Sequence, residues 1–241
     1  MTKHIIIGTT GIGAGLARKL HGDGAELHLI SREVGRLTAL SNELSASFAV
    51  ADISIPGELE QAVLAAGPEI EGMAYCVGSI NLKPVARLTD AEILKDFELN
   101  ALGAFRAIKA ALPALKASQQ QTSSILLFST VAVQQGFASH ASVAMAKGAI
   151  EGLTRSLAAE FAPKIRVNCI APSLVRTPLA EFITRNEATT QAIAALHPLQ
   201  RIGEAEDIAG MAALLLSSAS SWITGQVIGI DGGRSTLRGK G

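Results

Sequence analysis

Short apolar runs alternate with longer amphipathic segments along almost the whole chain. Seven runs of strand length are apolar on both faces, which is typical of parallel strands covered by helices on either side. They are His4–Gly8, Glu26–Ile30, Ser47–Ala51, Met73–Val77, Ser124–Ser129, Arg166–Ile170 and Gln226–Ile230. The segments between them predict helices, namely Ile12–His21, Arg32–Leu44, Gly57–Ala65, Thr89–Ala117, Ser142–Phe161, Leu179–Leu196 and Glu204–Leu216.

This alternation predicts the α/β class. Seven strands with helices between them imply right-handed crossovers and a parallel sheet. The expected architecture is therefore a Rossmann-type, doubly wound, seven-stranded parallel sheet with helices on both faces. No repeat, low-complexity tract or linker divides the chain, so residues 1–241 are interpreted as a single domain.

The hydrophobic content and charge balance of the chain exclude some classes of binding partner. Hydrophobic residues make up 48% of the chain and charged residues 17%, which is enough apolar surface for one deep core. Lys plus Arg equals Asp plus Glu at 21 each, so neither nucleic acid nor a membrane is an expected partner. The run Ile5–Ile7 is too short for a signal peptide, and Cys76 and Cys169 lie in apolar runs as free thiols would in a reducing compartment. A cytoplasmic protein without a metal site is expected.

A glycine cluster follows the first predicted strand. The stretch Gly8-Thr9-Thr10-Gly11-Ile12-Gly13 lies where that strand gives way to a helix. Glycines at such a point allow backbone N–H groups to approach a pyrophosphate at the helix N-terminus. The alternative is an ordinary tight turn, but the position in a βαβ unit favours a dinucleotide cradle.

The loop after the second strand selects between the two nicotinamide cofactors. It reads Ser31-Arg32, and a hydroxyl beside a guanidinium suits the 2′-phosphate of NADP, whereas NAD is usually met by a carboxylate. We therefore expect NADP(H), with NAD less favoured. If Arg32 instead pairs with Glu33 in the first turn of the helix, that preference disappears.

At this point the chain resembles the short-chain dehydrogenase/reductase family over nearly its whole length. Eight features in the right order carry the resemblance: Gly11–Gly13, Asp52-Ile53, Gly78, Asn100, Ser129-Thr130, Lys147, the stretch RVNCIAPS with Pro172 and Thr177, and the closing ITGQVIGIDGG. The resemblance implies a homo-oligomer, a tetramer or a dimer, formed through the two long helices and the last strand. It also implies a flap over the substrate at residues 179–196.

The resemblance further implies a role for each matching residue. Lys147 would hold the nicotinamide ribose, and Asn100 would kink its helix and hold a relay water. The remaining cofactor contacts would be the pyrophosphate loop (Gly8, Thr10, Gly11, Ile12, Gly13), the adenine site (Asp52, Ile53), the ribose site (Cys76, Val77, Gly78) and the carboxamide site (Pro172, Val175, Thr177). An alternative for Asp52 is a cap that opens the turn at Ser54.

The catalytic pattern of the family is incomplete. The family uses Tyr-x-x-x-Lys, and the residue four before Lys147 is Val143, although Thr130 stands where the catalytic hydroxyl is expected. The single tyrosine, Tyr75, lies at the end of the fourth strand and cannot replace the missing acid. If the helix extends back to His140, that imidazole shares a face with positions 143 and 147 and has a suitable reference pKa for acid–base work.

Three further expectations concern the same regions. Ser142 is interpreted as the N-cap of the helix, and His140 has the alternative of capping that helix or lying in a subunit contact. The first glycine of the family loop is Ile7 unless one residue is deleted and Gly8 takes its place, which predicts a tighter loop. The family's NNAG is replaced by Tyr75 to Gly78, which removes two amides.

Two functions remain open. The first is an NADP(H)-dependent oxidoreductase acting on a small carbonyl or alcohol substrate, with Asn100, Thr130, His140 and Lys147 as its catalytic residues. The second is a catalytically impaired homologue that binds a dinucleotide as a sensor or an inactive partner subunit, which Val143 favours. A more remote third possibility is that cofactor binding has also been lost.

Overall fold

A seven-stranded parallel sheet forms the centre of the molecule. The computed structural model describes residues 2–237, and the strand order is β3-β2-β1-β4-β5-β6-β7 with every neighbouring pair parallel. The strands are β1 Lys3–Ile7, β2 Glu26–Ser31, β3 Ser47–Val50, β4 Gly72–Tyr75, β5 Ser123–Phe128, β6 Ile165–Pro172 and β7 Val227–Ile230. The predicted doubly wound fold is confirmed, and its topological switch lies between β1 and β4.

Helices cover both faces of this sheet. They are α1 Ile12–Gly22, α2 Val34–Leu44, α3 Glu58–Leu64, α4 Asp90–Phe97, α5 Gly103–Ala117, α6 Ala141–Phe161, α7 Glu181–Thr184, α8 Glu187–Ala194 and α9 Ala205–Leu216. No helix within residues 2–237 is long and apolar enough to cross a membrane.

The two faces of the sheet carry separate apolar cores. Along β1, Ile5 and Ile7 pack into the core shared with α3, α5 and α6, while Ile6 packs into the core shared with α1, α2 and α9. All three isoleucines are essentially without solvent exposure. Burial on both faces is why the strand sequences do not alternate between polar and apolar residues.

The predicted single helix over Thr89–Ala117 is interrupted by a π-helical segment, Glu98–Leu102. The side-chain amide of Asn100 donates to the carbonyl of Asp96 at 2.8 Å. That carbonyl is the acceptor which the backbone N–H of Asn100 would use in a regular α-helix, so the ladder widens there. The kink at Asn100 therefore has a local cause.

The helix predicted over Leu179–Leu196 also differs from the observed structure. It forms a short 3₁₀ turn at Pro178–Ala180, then α7 and α8. The break lies at Arg185 and Asn186, because the Asn186 side chain accepts from the N–H of Thr189 at 3.0 Å and starts a new helix.

The expected loose or interfacial tail, residues 234–241, is only partly described. Arg234 and Ser235 form a turn in which the Asp231 carboxylate accepts from the N–H of Gly233 at 2.9 Å and from that of Ser235 at 2.9 Å. Residues 238–241 lie outside the described residues. Just before β7, Trp222 is 99% exposed.

Candidate active site

A cavity of about 980 Å³ opens at the carboxyl ends of β4, β5 and β6. Segments that directly follow these strands form its walls, namely Cys76–Gly78, Ser129–Val131 and Ser173–Val175. In open parallel sheets this edge is where ligands bind. Many of the predicted cofactor and catalytic residues line the cavity: Ile12, Cys76, Val77, Gly78, Thr130, His140, Lys147, Pro172, Val175 and Thr177.

The glycine loop packs tightly against the start of α1. A Cβ on Gly13 would lie 1.8 Å from the carbonyl oxygen of Gly8, and Gly8 itself has φ +89°. A Cβ on Gly11 would lie 2.7 Å from Thr177, so the loop also touches the segment after β6. A side chain at Gly11 or Gly13 would therefore clash with its neighbours, and one at Gly8 would be strained.

One polar atom in this loop has no partner. The hydroxyl of Thr9 is buried without a hydrogen bond to any residue in the described range 2–237. An unpaired buried hydroxyl is costly unless a ligand or water satisfies it. Together with backbone N–H groups at the start of α1, it fits a bound phosphate group.

Arg32 lies exposed directly after β2 and forms no ion pair with the neighbouring Glu33. Glu33 caps α2, accepting from the N–H of Arg36 at 2.9 Å, and its ion pair is with the Arg36 side chain at 3.7 Å. Arg32 forms no ion pair within the described part of the chain, so the alternative pairing with Glu33 is not what the structure shows.

Asp52 opens a turn, as its alternative interpretation expected. Its Oδ1 accepts from the N–H of Ser54 at 2.9 Å and from the Ser54 hydroxyl at 2.7 Å. These hydrogen bonds lower the pKa of Asp52. Ile53 beside it is buried. The two residues lie at the edge of the sheet beyond β3, outside the main cavity.

Lys147 and Asn100 converge on Gly78. A Cβ on Gly78 would lie 3.0 Å from Asn100 Oδ1 and 3.3 Å from Lys147 Nζ. Lys147 is 8% exposed, and its ammonium group makes no hydrogen bond within residues 2–237. Burial lowers the pKa of Lys147 to about 8. A buried, unpaired lysine beside a cavity is typical of a functional group.

The two hydroxyls after β5 have different partners. Ser129 donates to Oε1 of the buried Glu151 at 2.8 Å, which occupies its only proton. Thr130 accepts from the N–H of Ala132 at 3.3 Å, so its proton remains free to point into the cavity. Thr130 is therefore the better of the pair for orienting a substrate carbonyl.

Val143 occupies the wall of the cavity where a catalytic acid was expected. It is 5% exposed and has no group that exchanges a proton. Tyr75 is buried, and its hydroxyl donates to the carbonyl of Leu99 at 2.7 Å, so it ties β4 to the π-helical segment and does not reach the cavity.

His140 lies at the rim of the same cavity. It is the residue before α6, and its carbonyl accepts from the N–H of Ala144 at 2.9 Å. The prediction of Ser142 as the N-cap is therefore wrong, because the helix starts two residues earlier. His140 Nδ1 contacts the carbonyl of Ala138 at 2.8 Å, so this nitrogen carries a proton and Nε2 is free.

Sequence reasoning missed a buried network behind Asn100. Asp96, 5% exposed, accepts from the Ser79 hydroxyl at 2.6 Å and from the Ser142 hydroxyl at 2.5 Å. Asn100 completes the network by donating to the Ser79 hydroxyl at 2.8 Å. The available signal was the spacing of Asp96 and Asn100, which places both on one helix face.

A second missed pair joins the wall after β6 to the flap. The Ser173 hydroxyl lies 2.8 Å from Nε2 of His197, which is 2% exposed, and Nδ1 of His197 lies 2.8 Å from the carbonyl of Ile193. Nδ1 must carry the proton toward that carbonyl, so Ser173 donates to Nε2. The pair anchors the end of the flap to β6. No group of metal-ligating side chains occurs within the described residues.

Comparisons with known proteins agree on one family. A family model described as Enoyl-(Acyl carrier protein) reductase matches residues 6–235. A tropinone reductase homologue of Arabidopsis thaliana is 35% identical over 236 residues, which cover 94% of this chain and 89% of the relative. The human mitochondrial dehydrogenase/reductase SDR family member 2 is 33% identical over 238 residues, covering 93% and 82%.

Solved structures give the same result. A short-chain type dehydrogenase/reductase from Mycobacterium ulcerans superposes with a TM-score of 0.90 at 30% identity, covering 99% of this chain and 91% of that one. A short-chain dehydrogenase/reductase from Brucella melitensis superposes with a TM-score of 0.90 at 30% identity, covering 98% and 97%.

Proposed function

Because the chain belongs to the short-chain dehydrogenase/reductase family, we propose that it is an NADP(H)-dependent oxidoreductase acting on a small carbonyl or alcohol. One observation carries the proposal: Lys147 and Thr130 line one cavity at the carboxyl edge of the sheet, and Asn100 lies directly behind the wall of that cavity at Gly78. Oxidoreductase chemistry is general to the family, whereas the cofactor preference, the substrate and the proton donor are our proposals.

The residues present fit a nicotinamide dinucleotide. The backbone cradle of Gly8 to Gly13 and the unpaired Thr9 hydroxyl suit its pyrophosphate, and Lys147 suits its ribose hydroxyls. When bound, the cofactor supplies or accepts a hydride at its nicotinamide ring. Pro172, Val175 and Thr177 line the cavity where they would hold that ring in place.

Arg32 supports the choice of NADP(H) over NAD(H). It is exposed, forms no ion pair within the described residues and directly follows Ser31, the last residue of β2. Glu33, the carboxylate nearest in sequence, is engaged in capping α2. A free guanidinium beside a hydroxyl suits a 2′-phosphate, which it binds through two parallel hydrogen bonds.

Proton transfer is assigned to His140, with a water relay as the alternative. In reduction, the Thr130 hydroxyl donates to the substrate carbonyl and orients it. As the imidazolium, with a proton on each ring nitrogen, His140 gives the proton at Nε2 to the oxygen that develops negative charge, and Nδ1 keeps its proton toward the Ala138 carbonyl. In the alternative, a water held by Lys147 Nζ and Asn100 Oδ1 gives that proton. In either route the protein supplies one proton for each hydride that the cofactor transfers.

A catalytically impaired dinucleotide-binding protein is the second candidate. Val143 favours it, because the binding residues remain while the group that the family uses as its acid is absent. Such a protein would work as a sensor of the cofactor or as an inactive partner subunit.

Cofactor titration is the first test. NADPH fluorescence is expected to rise on binding to the wild type, and Arg32→Gln is expected to weaken NADPH but not NADH. Arg36→Gln, one turn further along α2, is the matched control and should change neither. Absence of binding by either cofactor at millimolar concentration would exclude both candidate functions.

Turnover with a panel of ketones, quinones and secondary alcohols is the second test. We expect activity in the wild type and a large loss in His140→Ala. Full activity in His140→Ala would replace the histidine with the water relay. Activity in Val143→Tyr alone would favour the impaired protein over the oxidoreductase.

Self-association and location complete the proposal. Leu94, Phe97 and Phe105 on α4 and α5 are exposed apolar side chains on the helices that the family resemblance assigns to subunit contacts. We propose a homotetramer or homodimer in the cytoplasm, and light scattering after size-exclusion chromatography measures the mass directly. A monomer at micromolar concentration would contradict the assembly.

A further inference from the structure

The guanidinium of Arg234, at the wall of the cavity, has no hydrogen-bonding partner among the described residues. Its Nη1 is buried without a hydrogen bond, and the whole group makes neither a hydrogen bond nor an ion pair with any residue from 2 to 237. Burial lowers the pKa of Arg234, yet a guanidinium stays protonated in proteins. A positive charge without an ion-pair partner in the described residues therefore faces the substrate region.

The side chain is nevertheless held in place. Its guanidinium carbon lies 4.9 Å from the centre of the Phe137 ring, and its backbone carbonyl accepts from Gln135 Nε2 at 2.8 Å. The Phe137 ring also packs edge-on against His140 at 5.3 Å. Arg234, Phe137 and His140 therefore form one continuous wall of the cavity.

No carboxylate of the described chain forms an ion pair with this guanidinium. Asp231 is close enough to influence Arg234 electrostatically, but its oxygens accept from Gly233 and Ser235 and form no ion pair with it. The residues that line the cavity include neither Asp nor Glu, whereas Lys147 and Arg185 add further positive charge.

Most of the other side chains in this part of the cavity are apolar, although Asn186 and Thr189 of the flap also line it. The apolar side chains come from the loops after β4 and β5 and from the flap. They are Ile80, Leu82, Phe137, Leu179, Phe182, Ile183 and Ile193. A ligand that fits here has an apolar body and one group that meets an arginine.

We propose that the substrate is a carbonyl or alcohol compound with an apolar body and a carboxylate, and that Arg234 binds this carboxylate. The inference rests on the proposed oxidoreductase function and names its substrate class. A carboxylate suits the site because one guanidinium balances one such charge and matches its planar geometry. Arg185, exposed at the break between α7 and α8, adds a second cation on the flap side.

Binding of para-acetylbenzoate and its neutral amide to the NADPH-loaded protein tests the inference. The two compounds have nearly the same shape and the same ketone. Titration followed by NADPH fluorescence is expected to show roughly tenfold tighter binding of the acid, since a charge-assisted hydrogen bond replaces a neutral one. The preference should shrink as salt concentration rises.

Substitution of Arg234 localises the effect. Arg234→Gln should remove the preference, and Arg234→Lys should restore part of it. Arg155→Gln, exposed on α6 and outside the cavity, is the matched control and should keep it. Equal affinity of acid and amide in the wild type overturns the inference, as does an unchanged preference in a folded Arg234→Gln variant. Absence of measurable binding by either compound while NADPH still binds also overturns it. Loss of NADPH binding itself would instead contradict the proposed function.

Discussion

Asp96 and Lys147 are two buried charges on either side of Asn100, and their surroundings differ completely. Asp96 receives hydrogen bonds from two serine hydroxyls that come from the loop after β4 and from α6. Lys147 is almost equally buried but has no protein partner in the described part of the chain. The paired charge joins elements of the fold, whereas the unpaired one destabilises the protein and is available to a ligand.

This difference separates the residues around Asn100 that hold the fold together from those that are available to a ligand. Behind Asn100 the side chains of Asp96, Ser79 and Ser142 are joined by hydrogen bonds, which fix the geometry of the cavity wall. In front of it, Lys147 and Arg234 face the cavity with unused donors. A folded scaffold thus holds charged groups that only a bound molecule can neutralise.

Removing the paired charge should have the largest effect. Asp96→Ala leaves the hydroxyls of Ser79 and Ser142 buried without an acceptor, so we expect the free energy of unfolding to fall by about 4 kcal/mol. Urea denaturation measures it. Asp90→Ala, exposed at the start of the same helix, is the control and should change little. A loss at Asp96 no larger than the control's would mean that the network does not hold the fold.

Removing the unpaired charge of Lys147 should raise the free energy of unfolding, the opposite of the effect expected at Asp96. Since burial lowers the pKa of Lys147 from 10.5 to about 8, the folded state binds this proton less tightly than the unfolded state. The cost is fully present below pH 8 and disappears as pH rises to 10.5, so wild-type stability gains over that window. Lys147→Met should stabilise the cofactor-free protein by about 2 kcal/mol at pH 7 and remove the gain.

Two controls accompany this second prediction. Lys109→Met, exposed on α5, should leave both the stability and its pH dependence unchanged. NADPH should stabilise the wild type much more than Lys147→Met, because the ligand supplies the missing partner. Equal stability of wild type and Lys147→Met at every pH would contradict the assigned environment.

Removing the hydrogen bond between the uncharged Tyr75 hydroxyl and the Leu99 carbonyl should give the smallest change in the free energy of unfolding. Tyr75→Phe keeps the packing of the ring but leaves the carbonyl of Leu99 without its donor. We expect a loss of about 1 kcal/mol in the free energy of unfolding, with cofactor affinity unchanged. A loss as large as that of Asp96→Ala would show that charge is not what distinguishes the two residues.

The fold was predictable because strands that are buried on both faces have runs of apolar residues in their sequences. Ile5, Ile6 and Ile7 are apolar in succession because each faces a helix layer, and the same pattern recurs in the other strands. The glycine loop and Lys147 were visible because their residue types are unusual at those positions. Val143 was equally visible because it stands where the family's pattern has a tyrosine.

The remaining parts of the site depend on long-range contacts that no local pattern encodes. An aspartate on an amphipathic helix normally faces water, so the residue type of Asp96 did not indicate burial, although its spacing from Asn100 placed the two residues on one helix face. Ser142 looked like a cap because the real start of α6, at His140, carries no side-chain cap. Arg234 belongs to a short basic tail, and only the folded chain brings it to Phe137.

The single tryptophan and the single tyrosine give the chain a built-in pair of optical reporters. Trp222 is fully in water before β7, so its emission carries no information about the core and resembles that of free indole. Tyr75 is enclosed behind the cavity, where its absorbance follows the integrity of the region around Leu99. A blue shift of the tryptophan emission with rising protein concentration would therefore report contact between copies at that edge, without any label.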